Sequence, residues 1–193
     1  MEEVLVAIIA YLLGSLDFGV FVPRLVGVDI YTEGSGSPGA SNVLRTLGKK
    51  FGAVVLAGDL LKGLAAAAIG DLWLGGSAGF AAGFFVVVGH AFPAWFRFKG
   101  GKGVATAIGA MIWLEPVAGI ALAVVWALIV IGVKTASIGS LVVVAAYVPA
   151  YLVTGHEGWS LVWAGATAGL VLVRHAPNIG RLIAGTESRV TSQ

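Results

Sequence analysis

The chain has 193 residues, of which 58% are hydrophobic and 11% are charged, with a formal net charge of +2. Soluble domains carry about 25% charged residues, so this chain has too few charges to cover a surface that faces water. Glycine supplies 29 residues, and a chain rich in both glycine and apolar residues is typical of closely packed transmembrane helices. Cysteine is absent, which excludes disulfide bonds and thiolate chemistry. The composition excludes a soluble globular protein and predicts an all-α, polytopic membrane helix bundle.

Apolar stretches of about the length that crosses a bilayer, 17–25 residues, follow one another along the chain. They lie at 4–22, 52–70, 72–91, 103–133, 137–153 and 158–173. The fourth would measure about 46 Å as one helix, and Pro116 near its middle interrupts helical geometry. Dividing it into 103–114 and 117–133 gives seven predicted spans in a single membrane domain, residues 1–193. The short 103–114 segment is expected to be tilted or partly re-entrant.

The basic residues support this division, because Lys and Arg concentrate in short cytoplasmic loops. With seven spans, eleven of the twelve basic residues fall in the first, third and fifth loops and the C-terminal tail, and only Lys62 lies inside a span. A single helix over 103–133 would place Lys134 and the tail arginines outside. The charges thus predict an outer N-terminus and a cytoplasmic C-terminus.

Polar, glycine-bearing blocks occur at three places in the chain, 33–50, 89–103 and 173–187. All of them fall on the predicted cytoplasmic face. Three such blocks on one side of a helical bundle predict one site at the membrane surface.

The first block combines glycines with neutral hydrogen-bond donors. Gly34, Gly36 and Gly39 have the spacing G-x-G-x-x-G, but the dinucleotide fingerprint needs a preceding strand, and this block follows a membrane helix. Glycines still let backbone N–H groups converge on an anion, and Arg45 offers a planar charged fork for phosphate oxygens. We predict a phosphate-binding loop, with a flexible linker as the alternative. Its neutral donors are Ser35, Ser37, Ser41 and Asn42.

The second block places two lysines among glycines. Lys99 and Lys102 flank Gly100 and Gly101, and Thr106 follows. The spacing is not that of a P-loop, but lysines on a glycine turn at the start of a helix favour an anion. The alternative is positive-inside anchoring, which needs the lysines but not the glycines.

The third block contains His175, Asn178, Arg181 and Glu187. The role of Glu187 stays open between catalysis and helix capping, and we favour a structural one. The three histidines of the chain, His90, His156 and His175, form no i,i+4 pair with carboxylates. We therefore predict no zinc or di-metal site.

Ionisable residues also occur within the predicted spans, where they are costly unless paired or functional. Asp17, Asp59 and Lys62 lie at comparable depths, and the last two are i,i+3 neighbours. Two interpretations remain open: a charge cluster that locks the first two spans together, or one that shapes the phosphate site.

The three blocks resemble the motifs of the bacterial membrane glycerol-3-phosphate acyltransferases that use acyl phosphate, the PlsY family. The similarity rests on GSGSPGASNVLR at 34–45, GHAFPAWFRFKGGKGVAT at 89–106 and VRHAPNIGRLIAGTE at 173–187, and it extends along the whole chain. It implies transfer of a fatty acyl group from acyl phosphate to the 1-hydroxyl of glycerol 3-phosphate, giving lysophosphatidic acid and phosphate. It also implies the bacterial inner membrane, with the site facing the cytoplasm. No cofactor, metal, nucleic acid or obligatory protein partner is expected.

The needs of the reaction that the resemblance implies suggest roles for the candidate residues. Arg45 and Lys102 would anchor phosphates, Ser35 and the glycine loop would cradle the acyl phosphate, and His175 and Asn178 would orient the glycerol phosphate. The expected catalytic residues are Ser35, Arg45, Lys102, His175 and Asn178. The expected substrate-binding residues are Gly34, Gly36, Ser37, Gly39, Asn42, Lys99, Gly101, Thr106, Ser137, Ser140 and Arg181.

Alternatives remain for both mechanism and function. The chain lacks the H-x-x-x-x-D pattern of other glycerolipid acyltransferases, because Trp95, Leu161 and Gly180 follow the histidines at that distance. By resemblance the donor's own phosphate accepts the hydroxyl proton, whereas an acylated Ser35 is the alternative. A transporter of phosphorylated metabolites would need ionisable residues along its path, and 117–133, 137–153 and 158–173 contain none. A non-catalytic scaffold that binds anionic lipid would not need the glycine loops.

Overall fold

The computed structural model describes residues 1–190, and every regular element in this range is helical. A short 3-10 turn at Ala94–Phe96 lies between two of the helices. The α-helices in chain order are α1 (Glu2–Ser15), α2 (Phe18–Leu25), α3 (Ala40–Leu47), α4 (Lys49–Leu74), α5 (Ala78–Ala91), α6 (Val104–Leu114), α7 (Pro116–Val133), α8 (Ala136–Val153), α9 (Trp159–Arg174) and α10 (Ala176–Ile183). The predicted all-α fold is confirmed. Residues 191–193 of the predicted single domain lie outside the described part.

Five helical segments of the described chain are long and apolar enough to cross a membrane. They are Glu2–Leu25, Lys49–Leu74, Ala78–Phe96, Pro116–Val133 and Ala136–Val153, and α6 and α9 are shorter apolar helices. The predicted division of 103–133 is confirmed as a helix boundary, since α6 ends at Leu114 and α7 begins at Pro116. Proline fits the first turn of a helix because the N–H it lacks would have no intrahelical partner there.

The predicted span 4–22 lies within the apolar segment Glu2–Leu25, but it consists of two helices, because α1 ends at Ser15 and the Asp17 carboxylate accepts a hydrogen bond from Gly19 N at 2.9 Å to cap α2. One predicted boundary was wrong. The break predicted between 70 and 72 is absent, and α4 continues to Leu74. Asp71 remains in the helix because its carboxylate accepts a hydrogen bond from Trp113 Nε1 at 3.0 Å. The short helices α3 and α10 within the polar blocks were not predicted.

The long helices approach one another at glycines, as the composition predicted. In α4 an added Cβ at Gly63 would overlap the carbonyl oxygen of Thr106 in α6, and one at Gly109 would overlap that of Leu60. Gly14 and Gly89 make a similar reciprocal contact between α1 and α5. Close backbone approach of this kind is how membrane helices gain packing contacts where no hydrophobic effect separates them from lipid.

We expect Gly63→Val to lower the melting temperature of the detergent-solubilised protein. The added side chain must displace the backbone of α6, and overpacking of this kind costs on the order of 1–3 kcal/mol. Gly165→Val is the matched control, because Gly165 lies in the helix α9 with nothing within 4 Å of an added Cβ. Equal melting temperatures for Gly63→Val and the unmodified protein would contradict the close packing of α4 on α6.

Candidate functional site

One cavity of about 220 Å³ brings the three polar blocks together. Side chains from α4, α7 and α8 complete its wall. Of the predicted site residues, those that line it are Ser35, Ser37, Gly39, Asn42, Arg45, Lys102, Ser137, Ser140, His175, Asn178 and Arg181. Residues separated by more than a hundred positions in sequence are thus neighbours around one space.

Four helices begin at this cavity. The first turns of α3, α6 and α8 contribute Ala40, Val104 and Ala136 to its lining, and His175 lies just before α10. The first N–H groups of a helix have no intrahelical partner, and the helix dipole makes that end favourable for anions. Convergence of several helix N-termini therefore builds an anion site largely from backbone groups.

Asn42 shapes the first glycine loop from within. Its side-chain oxygen accepts a hydrogen bond from Ser35 N at 3.0 Å, and its amide group donates to Glu33 O at 2.9 Å. Both ends of the amide are thus used by the loop itself, so we assign Asn42 to holding the loop. Arg45 Nη2 lies 3.4 Å from Ser35 Oγ and completes this corner of the cavity.

The buried surroundings of Lys102 disfavour the positive charge of its ammonium group. Burial is the main cause that lowers the pKa of Lys102 to about 8; the carboxylate of Glu187 opposes it, and the guanidinium groups of Arg181 and Arg45 act with it. Burial likewise lowers the pKa of Arg45. Arg45 and Lys102 lie in the same cavity and disfavour each other's charge, which favours the binding of an anion between them.

His175 is held in one neutral tautomer. Its Nδ1 lies 2.8 Å from Val171 O, and because a carbonyl oxygen only accepts, Nδ1 carries the proton and Nε2 is an acceptor. Burial lowers the pKa of His175 to about 4. The imidazole is therefore uncharged at neutral pH and can accept a hydrogen bond from a substrate hydroxyl.

Glu187 joins two of the predicted residues of the third block. Its carboxylate accepts a hydrogen bond from Asn178 Nδ2 at 2.6 Å and one from Arg181 Nε at 2.7 Å. Burial raises the pKa of Glu187, but these hydrogen bonds outweigh it and leave the pKa below its ordinary value. Asn178 Oδ1 remains buried without a partner and is available to a ligand. The geometry supports the structural role that we favoured for Glu187.

Five predicted binding residues lie outside the cavity lining. Thr106 is fully buried against α4, and Lys99 is exposed with its carbonyl bound by the Tyr31 hydroxyl. The glycines have structural roles, because Gly34 and Gly36 adopt φ of +54° and +66° in the turn and Gly101 packs against His90. Direct substrate contact by these residues is not supported. They are Gly34, Gly36, Lys99, Gly101 and Thr106.

Arg174 holds the second block in place, and the sequence analysis counted it only as a topological charge. Its Nη2 donates to Gly100 O at 2.7 Å and its Nε donates to Gly101 O at 3.2 Å. The guanidinium also lies 5.2 Å from the ring centre of Phe92. The only sequence signal was its position directly before His175.

A group of possible metal ligands lies at the cavity floor. Ligand atoms of Asp17, Asp59 and His90 lie within 4.8 Å of one another. Among residues 1–190, these three side chains are the ones placed closely enough to hold a metal ion together. The Lys62 ammonium lies 2.8 Å from Asp59 Oδ1 and 2.9 Å from His90 Nδ1. A side-chain cation thus supplies the positive charge there. The expectation of no metal stays a prediction.

The cavity continues from its charged end into the apolar part of the bundle. Leu56 and Leu60 of α4, Ile108 of α6 and Ala123 and Trp126 of α7 form this part of the wall. Trp126 Nε1 donates to Ser140 Oγ at 3.2 Å, which joins α7 to α8 at the boundary between the polar and apolar ends. The arrangement suits an amphipathic ligand with an anionic head.

The family model described as glycerol-3-phosphate acyltransferase matches residues 4–185. The chain belongs to this family. A glycerol-3-phosphate acyltransferase of Sinorhizobium medicae (strain WSM419) is 45% identical over 184 residues, which cover 95% of this chain and 90% of the relative. One of Neisseria meningitidis serogroup B (strain ATCC BAA-335 / MC58) is 42% identical over 190 residues, 94% of each chain.

Two solved structures of PlsY (YgiH), an integral membrane glycerol 3-phosphate acyltransferase, are similar to this member of the family. The glycerol 3-phosphate form superposes with a TM-score of 0.93 at 37% identity, covering 98% of this chain and 96% of that one. The lysophosphatidic acid form has a TM-score of 0.91 and 37% identity, covering 98% and 95%. The resemblance to the PlsY family is confirmed, and the chain is a multi-pass membrane protein.

We expect the affinity for inorganic phosphate to fall as the pH rises through about 8. Lys102 is protonated below its pKa and loses its charge above it, so affinity should drop by about tenfold per pH unit in the alkaline range. Lys102→Arg should abolish this dependence, because guanidinium stays charged. Binding is measured by calorimetry, with Lys50→Arg, at an exposed position in the first turn of α4, as the control. A pH-independent affinity of the unmodified protein would show that Lys102 does not bind the anion.

Proposed function

We propose that the protein transfers a fatty acyl group from acyl phosphate to the 1-hydroxyl of glycerol 3-phosphate, releasing lysophosphatidic acid and phosphate. The observation that carries this proposal is a single cavity with helix N-termini and the cations Arg45, Lys102 and Arg181 at one end and apolar side chains at the other. Each substrate carries a phosphate group, and the donor also carries a fatty chain.

The reaction needs positioning more than it needs an activated protein nucleophile. Acyl phosphate is a mixed anhydride with a good leaving group, so aligning the two substrates and stabilising the departing phosphate supply much of the rate. The bond from the acyl carbon to the phosphate oxygen breaks, and a bond from that carbon to the glycerol oxygen forms. The hydroxyl proton passes to the released phosphate, so the cycle balances without a cofactor.

Direct transfer is preferred to an acylated Ser35. The hydrogen-bonding neighbour of Ser35 Oγ in the described structure is Arg45 Nη2 at 3.4 Å. A guanidinium only donates and is not a base. His175 is bound through Nδ1 to Val171 O, and we assign its free Nε2 to orienting the glycerol hydroxyl together with Asn178. Arg45 and Lys102 are assigned to the phosphates.

The same distribution of charge supports the proposed topology. The helices α1 and α2 together and the helices α4 to α9 would give seven crossings, with α6 the shortest of them. The basic residues then lie on the same side of the membrane as the charged end of the cavity. The positive-inside rule assigns that side to the cytoplasm. An outer N-terminus, a cytoplasmic C-terminus and location in the bacterial inner membrane follow from this proposal.

Purified protein should release phosphate when given acyl phosphate and glycerol 3-phosphate together, and acyl-CoA should not replace the donor. Lipid product is followed by mass spectrometry and phosphate by a colorimetric assay. Ser35→Ala should retain measurable transfer, since Ser35 positions the donor in the direct mechanism. A hydroxylamine-sensitive acyl-enzyme on Ser35, or equal use of acyl-CoA, would contradict this part of the proposal.

The apolar end of the cavity predicts the preferred acyl-chain length. On their helices, Leu60, Ile108 and Ala123 are the cavity-lining residues farthest from the cationic end of the cavity. Ala123→Phe should therefore favour shorter acyl phosphates, changing the ratio of kcat/KM values for short and long chains by about tenfold or more. Leu128→Phe is the matched control, because Leu128 is on the same helix and 64% exposed. An unchanged ratio for Ala123→Phe would place the acyl chain elsewhere.

A further inference from the structure

A buried charged cluster lies beneath the two glycine-bearing loops, with Asp59 and His90 reaching the cavity lining, and no step of the proposed reaction uses it. Asp17, Asp59, Lys62 and His90 are all at least 95% buried. Charged groups persist in an apolar interior only where partners satisfy them. The cluster joins the break between α1 and α2 to both α4 and α5. It therefore connects more of the bundle than the first two predicted spans.

Lys62 is the centre of this cluster. Its Nζ lies 2.9 Å from Leu16 O, 2.8 Å from Asp59 Oδ1 and 2.9 Å from His90 Nδ1. An ammonium group donates and never accepts; Leu16 O and His90 Nδ1 are its hydrogen-bond partners, and Asp59 is its ion-pair partner. His90 Nδ1 must therefore accept, which places the imidazole proton on Nε2.

The other edge of the His90 ring supports the second glycine loop. An added Cβ at Gly101 would overlap His90 Nε2 and would lie 2.7 Å from Pro38 O. The Gly101 N–H also donates to His90 O at 3.0 Å. Gly101 is thus held between His90 below and the first loop above, and Lys102 is the next residue.

The first loop rests on the same cluster through Asp17. The Asp17 carboxylate caps α2 at Gly19 N. An added Cβ at Gly19 would lie 2.6 Å from Gly39 N and 3.1 Å from Asp17 Oδ1. Pro38 and Gly39 both line the cavity, so a shift of the cluster would move both walls of the anion site.

We propose that Lys62 is a positioning residue for catalysis: through His90 it holds Gly101, and with it Lys102, at the anionic end of the cavity. This inference rests on the proposed function, because it assigns Lys62 to the substrate-binding geometry of that same site. Arg174 binds the carbonyl groups of Gly100 and Gly101 from the opposite side. The loop is therefore fixed from two directions, and Lys62 acts only through other residues.

The test separates charge compensation from positioning by comparing Lys62→Met and Asp59→Asn with the double variant. Each single variant leaves a buried charge without its partner and should lower the melting temperature strongly. The double variant should recover much of that stability, because the ion pair is removed as a unit. Its KM for glycerol 3-phosphate should stay raised by about tenfold or more, with a smaller change in kcat, since methionine cannot donate to His90. A double variant with the original KM would overturn the proposal.

His90→Asn provides a second test that does not depend on the folding of those variants. The asparagine oxygen can accept from Lys62, but the shorter side chain loses the contact with Gly101. We expect a folded protein with a cooperative melting transition and a raised KM, whereas an unchanged KM would overturn the proposal. Lys50→Met, at an exposed site on α4, the helix that carries Lys62, is the control.

Inorganic phosphate distinguishes failure of this inference from failure of the proposed function. If the unmodified protein does not transfer acyl groups from acyl phosphate, the proposed function fails. Protection against thermal unfolding by inorganic phosphate still reports on the anion site. Loss of that protection in His90→Asn and in the double variant would support positioning by Lys62, and its full retention would overturn it.

Discussion

The cavity depends on one constraint, which is that polar backbone groups cannot be left without partners in an apolar bundle. Four helices begin at a common cavity, so their first N–H groups, which lack intrahelical partners, lie where a polar ligand can satisfy them. The cations Arg45 and Lys102 add to that potential, and Glu187 fixes Asn178 and Arg181 in place. In the proposed reaction the same groups hold the substrate phosphates and the phosphate that departs.

The buried cluster and the glycine contacts are two parts of one support for this site. Gly63 and Gly109 let α4 and α6 approach at backbone distance, and α4 carries Asp59 and Lys62 to the cavity floor. Because a chain in lipid gains little from the hydrophobic effect between helices, close packing and satisfied polar contacts determine helix positions. Small errors in those positions would move Lys102 relative to its ligand, and catalysis by positioning is sensitive to such errors.

Much of the site was predictable because its chemistry requires particular residue types. Arg45, Lys102 and His175 lie in three polar blocks of an otherwise apolar chain, and all of them line the cavity. The Asp59–Lys62 pair was also expected, since an i,i+3 spacing makes contact within one helix. His90 as a partner of Lys62, and Arg174 as a ligand of the Gly100 and Gly101 carbonyls, could not be predicted. Those contacts join residues 28 and more than 70 positions apart and depend on how the helices pack.

By itself the sequence determined the helical class, the helix boundary at Pro116, the family and the residue types that would meet an anion. These properties follow from composition, local backbone restriction and short motifs, which need no knowledge of distant neighbours. Only the tertiary structure decided which predicted residues reach the cavity and which support it. Gly101 and Thr106 belong to the support, while Glu187 and His90 join the wall. The physical reason is that a side chain's role here depends on the direction in which its helix presents it, and helix packing sets that direction.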